Sequence, residues 1–486
     1  MILGITAQNH DASMALIDGD KILWAAHSER YSRIKNDNCL NPIMVAEMMQ
    51  YGEPEQIVWF ERPWSKNFRR LFAGQRPWQI DPSDEIRRLH LDHLPISFVG
   101  HHESHAAAGY YTSGFADATI LVVDAIGEWD SVSIWNAAGS RISKIWSKKY
   151  PDSIGLFYSA MTQRLGLKPN EEEYILMGMA AHGRPSVKEY LKKEFFKKFN
   201  APDFKLRHNL HKGCMWWENL AGVSQYNIAA SVQAIMEEYL LGTIHHLRTV
   251  SNSKNLVLMG GAALNCVANG LIAKQMQFDN IWIMPNPGDS GSAIGAVAAY
   301  TQTHLKWPGP FLGTDIKRNL DIDAVVKDLL AGHVVGVANG RAEFGPRALG
   351  NRSLLCDPRG KHAKDKMNAI KKREEFRPFA PAILAEHVHD YFDMPSAINE
   401  SPYMSFVVRC KQPKLVPGVV HIDGTSRVQT VTTKDNPVFR KLLEAWHAAS
   451  GCPMLMNTSL NIKGQPLVNT WDDALDFQNL HKVTVY

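Results

Sequence analysis

Ala118-Thr119-Ile120-Leu121-Val122-Val123-Asp124 is apolar and β-branched up to a single carboxylate, and Gly127 follows. Such a run reads as a strand ending in a polar turn. The pattern recurs along the chain: Leu256 to Met259 is apolar and stops at Gly260-Gly261, and Ile2 to Thr6 reads as a buried strand. Ser13 to Leu16 and Lys21 to Ala25 flank Asp18-Gly19-Asp20 and predict a hairpin. Between these lie stretches with apolar residues at helical spacing, such as Asn227 to Val250. Strands alternating with helices predict an α/β architecture. No low-complexity tract or short-period repeat is evident.

The Pro/Gly cluster Trp307-Pro308-Gly309-Pro310 marks a boundary. Beyond it, Asp321 to Leu330 reads as a helix and His333 to Ala338 as a strand. Two domains are expected, at 1–312 and 313–486. The 486 residues are 45% hydrophobic and 21% charged, the balance of a globular protein. No apolar run has the length that spans a bilayer, and the first residues lack the charged and apolar regions of a signal peptide. The expected location is the cytoplasm, with no membrane partner. Six scattered cysteines without a CxxC pair argue against a zinc ribbon and a disulfide framework. The net charge of +4 does not by itself indicate an anionic partner.

The sharpest local feature is His101-His102-Glu103-Ser104-His105-Ala106-Ala107-Ala108. In a helix, His101 and His105 stand one turn apart on one face, a spacing at which two imidazoles can ligate one metal ion. Carboxylates from strand or loop ends would complete the set: Asp124, and Asp289 in the turn Pro287-Gly288-Asp289-Ser290-Gly291. Two imidazoles with oxygen ligands suit iron, manganese or zinc. His102 falls on another face and is expected to pack or hydrogen-bond. Gly260-Gly261-Ala262-Ala263-Leu264-Asn265 follows a strand and is expected to open a helix, a place where backbone N–H groups cradle phosphate.

The last third gathers arginines in loops bounded by glycine and proline. These are Gly340 to Ser353 with Arg341, Arg347 and Arg352; Lys371 to Pro381 with Lys372, Arg373 and Arg377; and His421 to Gln429 with Arg427. Asn457-Thr458-Ser459-Leu460-Asn461 closes an apolar strand. Arginines held by rigid neighbours suit bidentate binding of phosphate oxygens.

These residues resemble the NodU/tobramycin-type O-carbamoyltransferase family, which joins a TsaD-like domain of the actin–hexokinase superfold to a YrdC-like α/β domain. The motifs run in order: HDAS from His10, SERYSRIK from Ser28, HHxxHAA from His101, VVDxxGE from Val122, MGMAxxG from Met177, GGAALN from Gly260 and GDSGxAxGA from Gly288. EFGPRALGNRS, REEFRPFAP, HIDGTSRVQTV and NTSLN follow from Glu343, Arg373, His421 and Asn457. The resemblance implies a C-terminal domain that makes carbamoyl adenylate from carbamoyl phosphate and ATP with Mg²⁺. It implies an N-terminal domain that delivers the carbamoyl group to a hydroxyl at a divalent metal, with iron first and manganese or zinc as alternatives. Carried over by motif, the metal ligands are His101, His105, Asp124 and Asp289. The carbamoyl phosphate and ATP groups fall to Arg347, Lys372, Arg377, Arg427, Asn457 and Ser459, and the adenylate in the first domain to Gly260, Gly261 and Asn265. His10 and Lys35 look onto the acceptor, His10 as general base or acceptor-binding group and Lys35 as a stabiliser of developing charge. Members often carry lysine within the segment Glu173 to Gly178, where this chain has Ile175.

Two segments are both basic and aromatic: Phe60 to Arg70, continuing to Arg76-Pro77-Trp78, and Lys192 to Trp217. A nucleic-acid surface needs cations beside stacking rings, but amphipathic helices with solvated lysines and buried rings are the preferred reading. The acceptor is then a small-molecule hydroxyl, such as a sugar or antibiotic, or a hydroxymethylated base in DNA. A threonylcarbamoyl-adenylate enzyme of tRNA modification and a non-catalytic nucleotide-binding protein are the rival readings. A homodimer is compatible with the sequence.

Overall fold

The computed structural model describes residues 1–76, 81–218, 220, 222–360 and 362–486. The chain is mixed α/β. The first sheet contains β1 (Ile2–Thr6), β2 (Ser13–Asp18), β3 (Lys21–His27), β4 (Gln56–Trp59) and β5 (Ile96–Phe98). The second contains β6 (Asp117–Gly127), β7 (Asp130–Ala138) and β8 (Arg141–Lys149). After the small hairpin of β9 (Phe196–Lys198) and β10 (Lys205–Leu206), β11 (Asn255–Met259) and β12 (Asn280–Trp282) complete it.

The spatial orders are β3-β2-β1-β4-β5 and β12-β11-β6-β7-β8. Read from the outer antiparallel strand, the second becomes β8-β7-β6-β11-β12, the same arrangement as the first. In both, three antiparallel strands meet two that run parallel to the central one. The first half is therefore a topological duplication. The helices His101–Ser113 and Ser292–Thr301 pack against each other between the two sheets. Their contact is close because Gly295 has no side chain: a Cβ there would lie 1.9 Å from the Ser104 carbonyl oxygen.

Period-two alternation explains the apolar run from Ala118 to Val123. Ile120 and Val122 of β6 enter the core shared with the first sheet. Leu121 and Val123 enter the opposite core, which continues into the C-terminal half. A strand covered on both faces has no polar side to show. The expected helix at Asn227 to Val250 forms as Gln225–Val250, capped by Ser224.

Past Pro310, β13 (Phe311–Ile316) pairs antiparallel with β15 (Gly340–Glu343). The second half is built on β14 (Val335–Ala338), β16 (Arg352–Cys356), β17 (Ala380–Leu384), β20 (Gln429–Val431) and β21 (Met454–Ser459), in the order β14-β16-β21-β17-β20. A two-stranded ribbon of β18 (Val407–Arg409) and β19 (Thr425–Arg427) lies beside it. The halves are bound closely. Arg30 Nη2 donates to the Gly345 carbonyl at 2.9 Å, Arg341 Nη2 to Leu23 at 2.9 Å, and Arg33 Nη2 to Pro466 at 3.3 Å. No described helix is long and apolar enough to cross a membrane.

Candidate functional site

The helix His101–Ser113 begins at the C-terminal edge of the first sheet, after Gly100. Its opening N–H groups would otherwise lack partners. Glu128 Oε1 accepts from the His101 N–H at 3.1 Å and the Arg62 N–H at 2.9 Å. This fixes the first turn, and His101 and His105 point from one face. Their Nε2 atoms lie 3.2 Å apart. Asp124 arrives from the end of the core run of β6, and Asp289 from the 3₁₀ turn Asp289–Gly291. His101 Nε2 is 3.2 Å from Asp124 Oδ2 and 3.4 Å from Asp289 Oδ1. His105 Nε2 is 3.6 and 3.3 Å from the same two oxygens. All four donor atoms lie within 4.8 Å of one another.

The outer partners are equally definite. Glu61 Oε2 stands 3.4 Å from His101 Nδ1, and its other oxygen accepts from Lys66 Nζ at 2.7 Å. Ser292 Oγ is 3.2 Å from His105 Nδ1. Asn9 Nδ2 donates to Asp289 Oδ2 at 2.7 Å, and the Ala125 N–H donates to Asp124 Oδ1 at 2.8 Å. Each histidine thus has one nitrogen held from behind and one turned to the centre, as metal-ligating imidazoles do. Burial works against charge on both histidines. The surrounding carboxylates overcome it and raise both above the ordinary imidazole range. Burial likewise disfavours charge on Asp124, but the two histidines hold its carboxyl well below the ordinary range. Two imidazoles and two carboxylates are a donor set that fits a divalent cation.

Gly127 makes room for the set, since a Cβ there would lie 2.2 Å from His101 Cδ2. Gly260, at φ +88°, passes so close to β6 that a Cβ would lie 2.3 Å from the Val123 oxygen. The segment after it forms a 3₁₀ turn, Gly261–Leu264, before the helix Cys266–Lys274. The Gly260 N–H donates to Pro287 at 2.9 Å, and the Gly261 N–H faces Asp124 Oδ1 at 3.4 Å. Asn265 exchanges two 3.0 Å amide hydrogen bonds with Gln233 and caps Ala268 at 3.1 Å. The turn therefore joins the two carboxylate-bearing loops, and the Asn265 side chain is taken up in holding it.

His10 Nδ1 lies 3.2 Å from Asp11 Oδ2, while its Nε2 is shielded from solvent and has no partner. A base oriented by a carboxylate has this arrangement. Burial lowers the imidazole's affinity for a proton, but the hydrogen bond and charge of Asp11, with Asp289 and Glu171, push it up to about 9. Lys35 Nζ is 2.7 Å from Glu29 Oε2. Burial would raise the Glu29 carboxyl, yet Lys35, Arg30 and His27 hold it down to about 2. His102 is buried and bonds Ser133 Oγ at 2.7 Å through Nδ1, away from the ligand set.

In the second half, Glu343 shapes the arginine loop by accepting from the N–H groups of Leu349, Asn351 and Arg352 at 2.8, 2.9 and 3.2 Å. The three arginines of that loop then part ways. Arg352 is fully buried and donates to the carbonyls of Thr314, Asn339, Gly340, Asn351 and Asn469. Arg341 donates to the carbonyls of Leu23, Leu312 and Gly313 and stacks on Tyr51. Both serve the backbone. Arg347 has no protein partner for its buried Nε, and burial, Arg427 and Arg377 push its guanidinium below the ordinary range. Arg377 lies 4.7 Å over the Tyr174 ring of the first half and 3.6 Å from Glu374. Arg427 donates to the Met404 carbonyl. The Asn457 amide bonds Gln429 at 2.8 Å and Ala348 at 3.2 Å, and its Oδ1 is buried without a partner.

The two adjacent lysines of this region are placed differently. Lys372 sits at the C-cap of the helix Ala363–Lys371 with φ 49° and is exposed. The buried neighbour Lys371 is the one that meets Ser459, at 3.0 Å from Oγ and 2.6 Å from the carbonyl, and also Asn461 Oδ1 at 2.6 Å. Burial, with Arg373 and Arg377, holds this ammonium well below its ordinary range. Sequence reasoning also missed Glu61, Lys66, Ser292, Asn9 and Tyr174.

Among the described residues of the two basic segments, several cations and rings are buried or paired. Lys66 and Arg69 are buried, as are Phe195, Phe196 and Trp217. Lys192 pairs with Glu238 at 2.7 Å and Lys198 with Asp203 at 2.8 Å. Pro77 and Trp78 lie outside the described residues.

The family model described as Carbamoyltransferase N-terminus matches residues 75–298, and that described as Carbamoyltransferase C-terminus matches 326–486. The chain is 35% identical to the 3'-hydroxymethylcephem-O-carbamoyltransferase of Amycolatopsis lactamdurans, over 98% of this chain and 96% of that protein. It is 31% identical to the nodulation protein NolNO of Sinorhizobium fredii, over 96% and 76% of the two chains. Among solved structures, the (R)-2-hydroxyglutaryl-CoA dehydratase component A of Acidaminococcus fermentans matches with a TM-score of 0.36 at 14% identity, over 62% of this chain and 96% of that one. The chain belongs to the carbamoyltransferase family, and it is an enzyme of that class.

Proposed function

We propose that the second half, 313–486, makes carbamoyl adenylate from carbamoyl phosphate and ATP, and that the first half, 1–312, transfers the carbamoyl group to an acceptor hydroxyl. The observation that carries this reading is a pair of opposite charge deficits in one chain. Imidazoles and carboxylates converge as a cation's ligands in the first half. In the second, Arg347, Arg377 and Arg427 are held near one another, with Tyr174 of the first half beside them. Gathering like charges costs free energy unless an anion joins them. Carbamoyl phosphate and ATP with Mg²⁺ are such anions, and Asn457, Ser459 and Lys371 are the further polar groups proposed to bind them.

His101, His105, Asp124 and Asp289 would hold a divalent metal, iron by family resemblance, which would act as a Lewis acid toward the carbamoyl oxygen. His10 takes the proton of the acceptor hydroxyl through Nε2 while Asp11 fixes the ring. Lys35, tethered to Glu29, supplies positive charge beside the acceptor. Burial of Lys66 and Arg69 and the pairing of Lys192 and Lys198 favour a small-molecule hydroxyl over a base in DNA.

The test is to incubate the full chain with ATP, labelled carbamoyl phosphate and a panel of hydroxyl compounds. Pyrophosphate should be released in a carbamoyl-phosphate-dependent way, and label should appear in a carbamate ester. Dependence on threonine and bicarbonate instead would favour the tRNA-modification reading. Absence of nucleotide turnover under these conditions would sink the two-step reading.

A further inference from the structure

The two basic segments meet at one point. Arg69, on the helix Pro63–Phe72, is only 5% exposed, and its Nε and Nη1 are shielded from solvent without a partner. Its guanidinium lies 5.5 Å from the centre of the Tyr150 ring. His211, from the 3₁₀ turn Leu210–Lys212 nearly 150 residues later in the chain, packs edge-on against the same ring at 6.0 Å. Its Nδ1 is also buried without a partner. Asn209 donates to the Tyr150 hydroxyl and fixes the ring that both contact.

The charges that act on His211 have one sign. Arg69, Arg70 and Lys212 all act on His211, and together with burial they lower its proton affinity. Among the described residues, Arg69 forms no ion pair, and Glu61, the carboxylate that acts on it at longer range, is itself held by Lys66 and His101. Buried donors are ordinarily bonded, and a guanidinium with two idle N–H groups is costly. A ligand that accepts hydrogen bonds and carries negative charge removes both costs at once.

We propose that Arg69 and His211 form an oxyanion site, separate from the arginine cleft of the second half, for a single phosphate or carboxylate group. The guanidinium offers the N–H groups of Nε and Nη1, the imidazole a third donor, and Arg70 and Lys212 set the field. Such a group belongs either to a free anion or to an acidic acceptor. The site itself does not depend on the carbamoyl-transfer reading; only its use by an acceptor does.

Calorimetric titration of the full chain with inorganic phosphate tests the site. Wild-type protein should take up one phosphate at the arginine cleft and one here. Arg69→Gln should lose the second and keep the first, while Arg427→Ala should do the reverse. If Arg427→Ala leaves both events unchanged, the cleft reading fails but the Arg69 result still stands. His211→Leu should weaken the second event about ten-fold through loss of one donor, and it carries the test if melting shows that Arg69→Gln does not fold. A second arm compares turnover of a hydroxyl acceptor bearing a carboxylate or phosphate with its neutral counterpart. An increase in KM confined to the acidic acceptor assigns the site to the acceptor, and unchanged KM with lost phosphate uptake assigns it to a free anion. Wild-type stoichiometry and affinity for phosphate in both Arg69→Gln and His211→Leu would overturn the proposal.

Discussion

The two proposed sites are mirror images in charge. In the first half, carboxylates and imidazoles are packed so that the outward-facing atoms are held by other residues and the central atoms face only one another: Glu61 and Ser292 hold the histidines, Asn9 and Ala125 the aspartates. In the second, the supporting work is done by residues that never face the cleft, Glu343 and Arg352, while Arg347 is left beside Arg427 with its Nε idle. In the first half the completeness of the support marks the gap. In the second, where Glu343 Oε2 is itself buried without a partner, the gathering of like charges marks it, and the sign of each gap is what the proposed ligand answers.

The largest expected effects come from breaking one site and watching the other. Arg427→Ala should cut carbamoyl-phosphate-dependent pyrophosphate release by about 10²–10³-fold, the usual loss for one preorganised charge donor, and leave metal content unchanged. His105→Ala should do the opposite, losing bound metal and acceptor carbamoylation with pyrophosphate release preserved. Parallel loss of both activities in either folded variant would show that the sites are not separable.

A smaller effect sharpens the role of the supporting residues. Glu61→Gln keeps the shape but removes the charge behind His101, and metal affinity should fall about 10–100-fold. Competition with a chelating dye measures this, and wild-type affinity would remove Glu61 from the site.

The pH dependence should also differ between halves. His10 is pushed up to about 9, and the base role proposed for it requires the unprotonated ring, so acceptor transfer should rise as pH rises toward that value. A cation on Asp289 removes one of the charges responsible and shifts the rise lower. Asp11→Asn removes the largest raising influence and should move the profile down further. Pyrophosphate release should not follow this curve, and an unmoved profile in Asp11→Asn would refute the base assignment.

The smallest expected change is at the surface. Lys198 and Asp203 are about half exposed, so reversing charge at Lys197 and Lys198 should alter stability by less than about 1 kcal/mol. Turnover of a small neutral acceptor should stay at the wild-type level. A salt-sensitive loss of turnover would revive a polyanionic acceptor.

The legible parts of the fold were those where a side-chain pattern and a backbone feature coincide. The core strand β6 shows as an unbroken apolar run because both its faces are covered. Asp124 shows because a lone carboxylate ends that run. Glu61 follows β4 in the same manner, after Trp59 and Phe60, and the same signal would have found it. The duplicated strand order does not show, since topology constrains hydrogen bonding and not composition. Nor could periodicity tell Lys371 from Lys372. Lys371 is the last helical residue, and the left-handed backbone at the next position accompanies the change from buried to exposed. The motif Gly340 to Ser353 presents three arginines alike, and only the carbonyls around Arg341 and Arg352 distinguish scaffold from site.

The strand β13 begins just after the Pro/Gly cluster, yet it pairs with β15 and packs against β3 of the first sheet. Thr314 on it bonds Glu47 at 2.8 Å, and its neighbour Arg341 reaches back to Leu23. For anyone building chimeras within this family, this strand is a shared seam. A graft joined at 312/313 would place a foreign edge against β3 and leave the Leu23 carbonyl without its guanidinium. Recombinants that exchange acceptor preference should therefore carry the hairpin of β2 and β3 together with 311–316, or mutate the acceptor side in place.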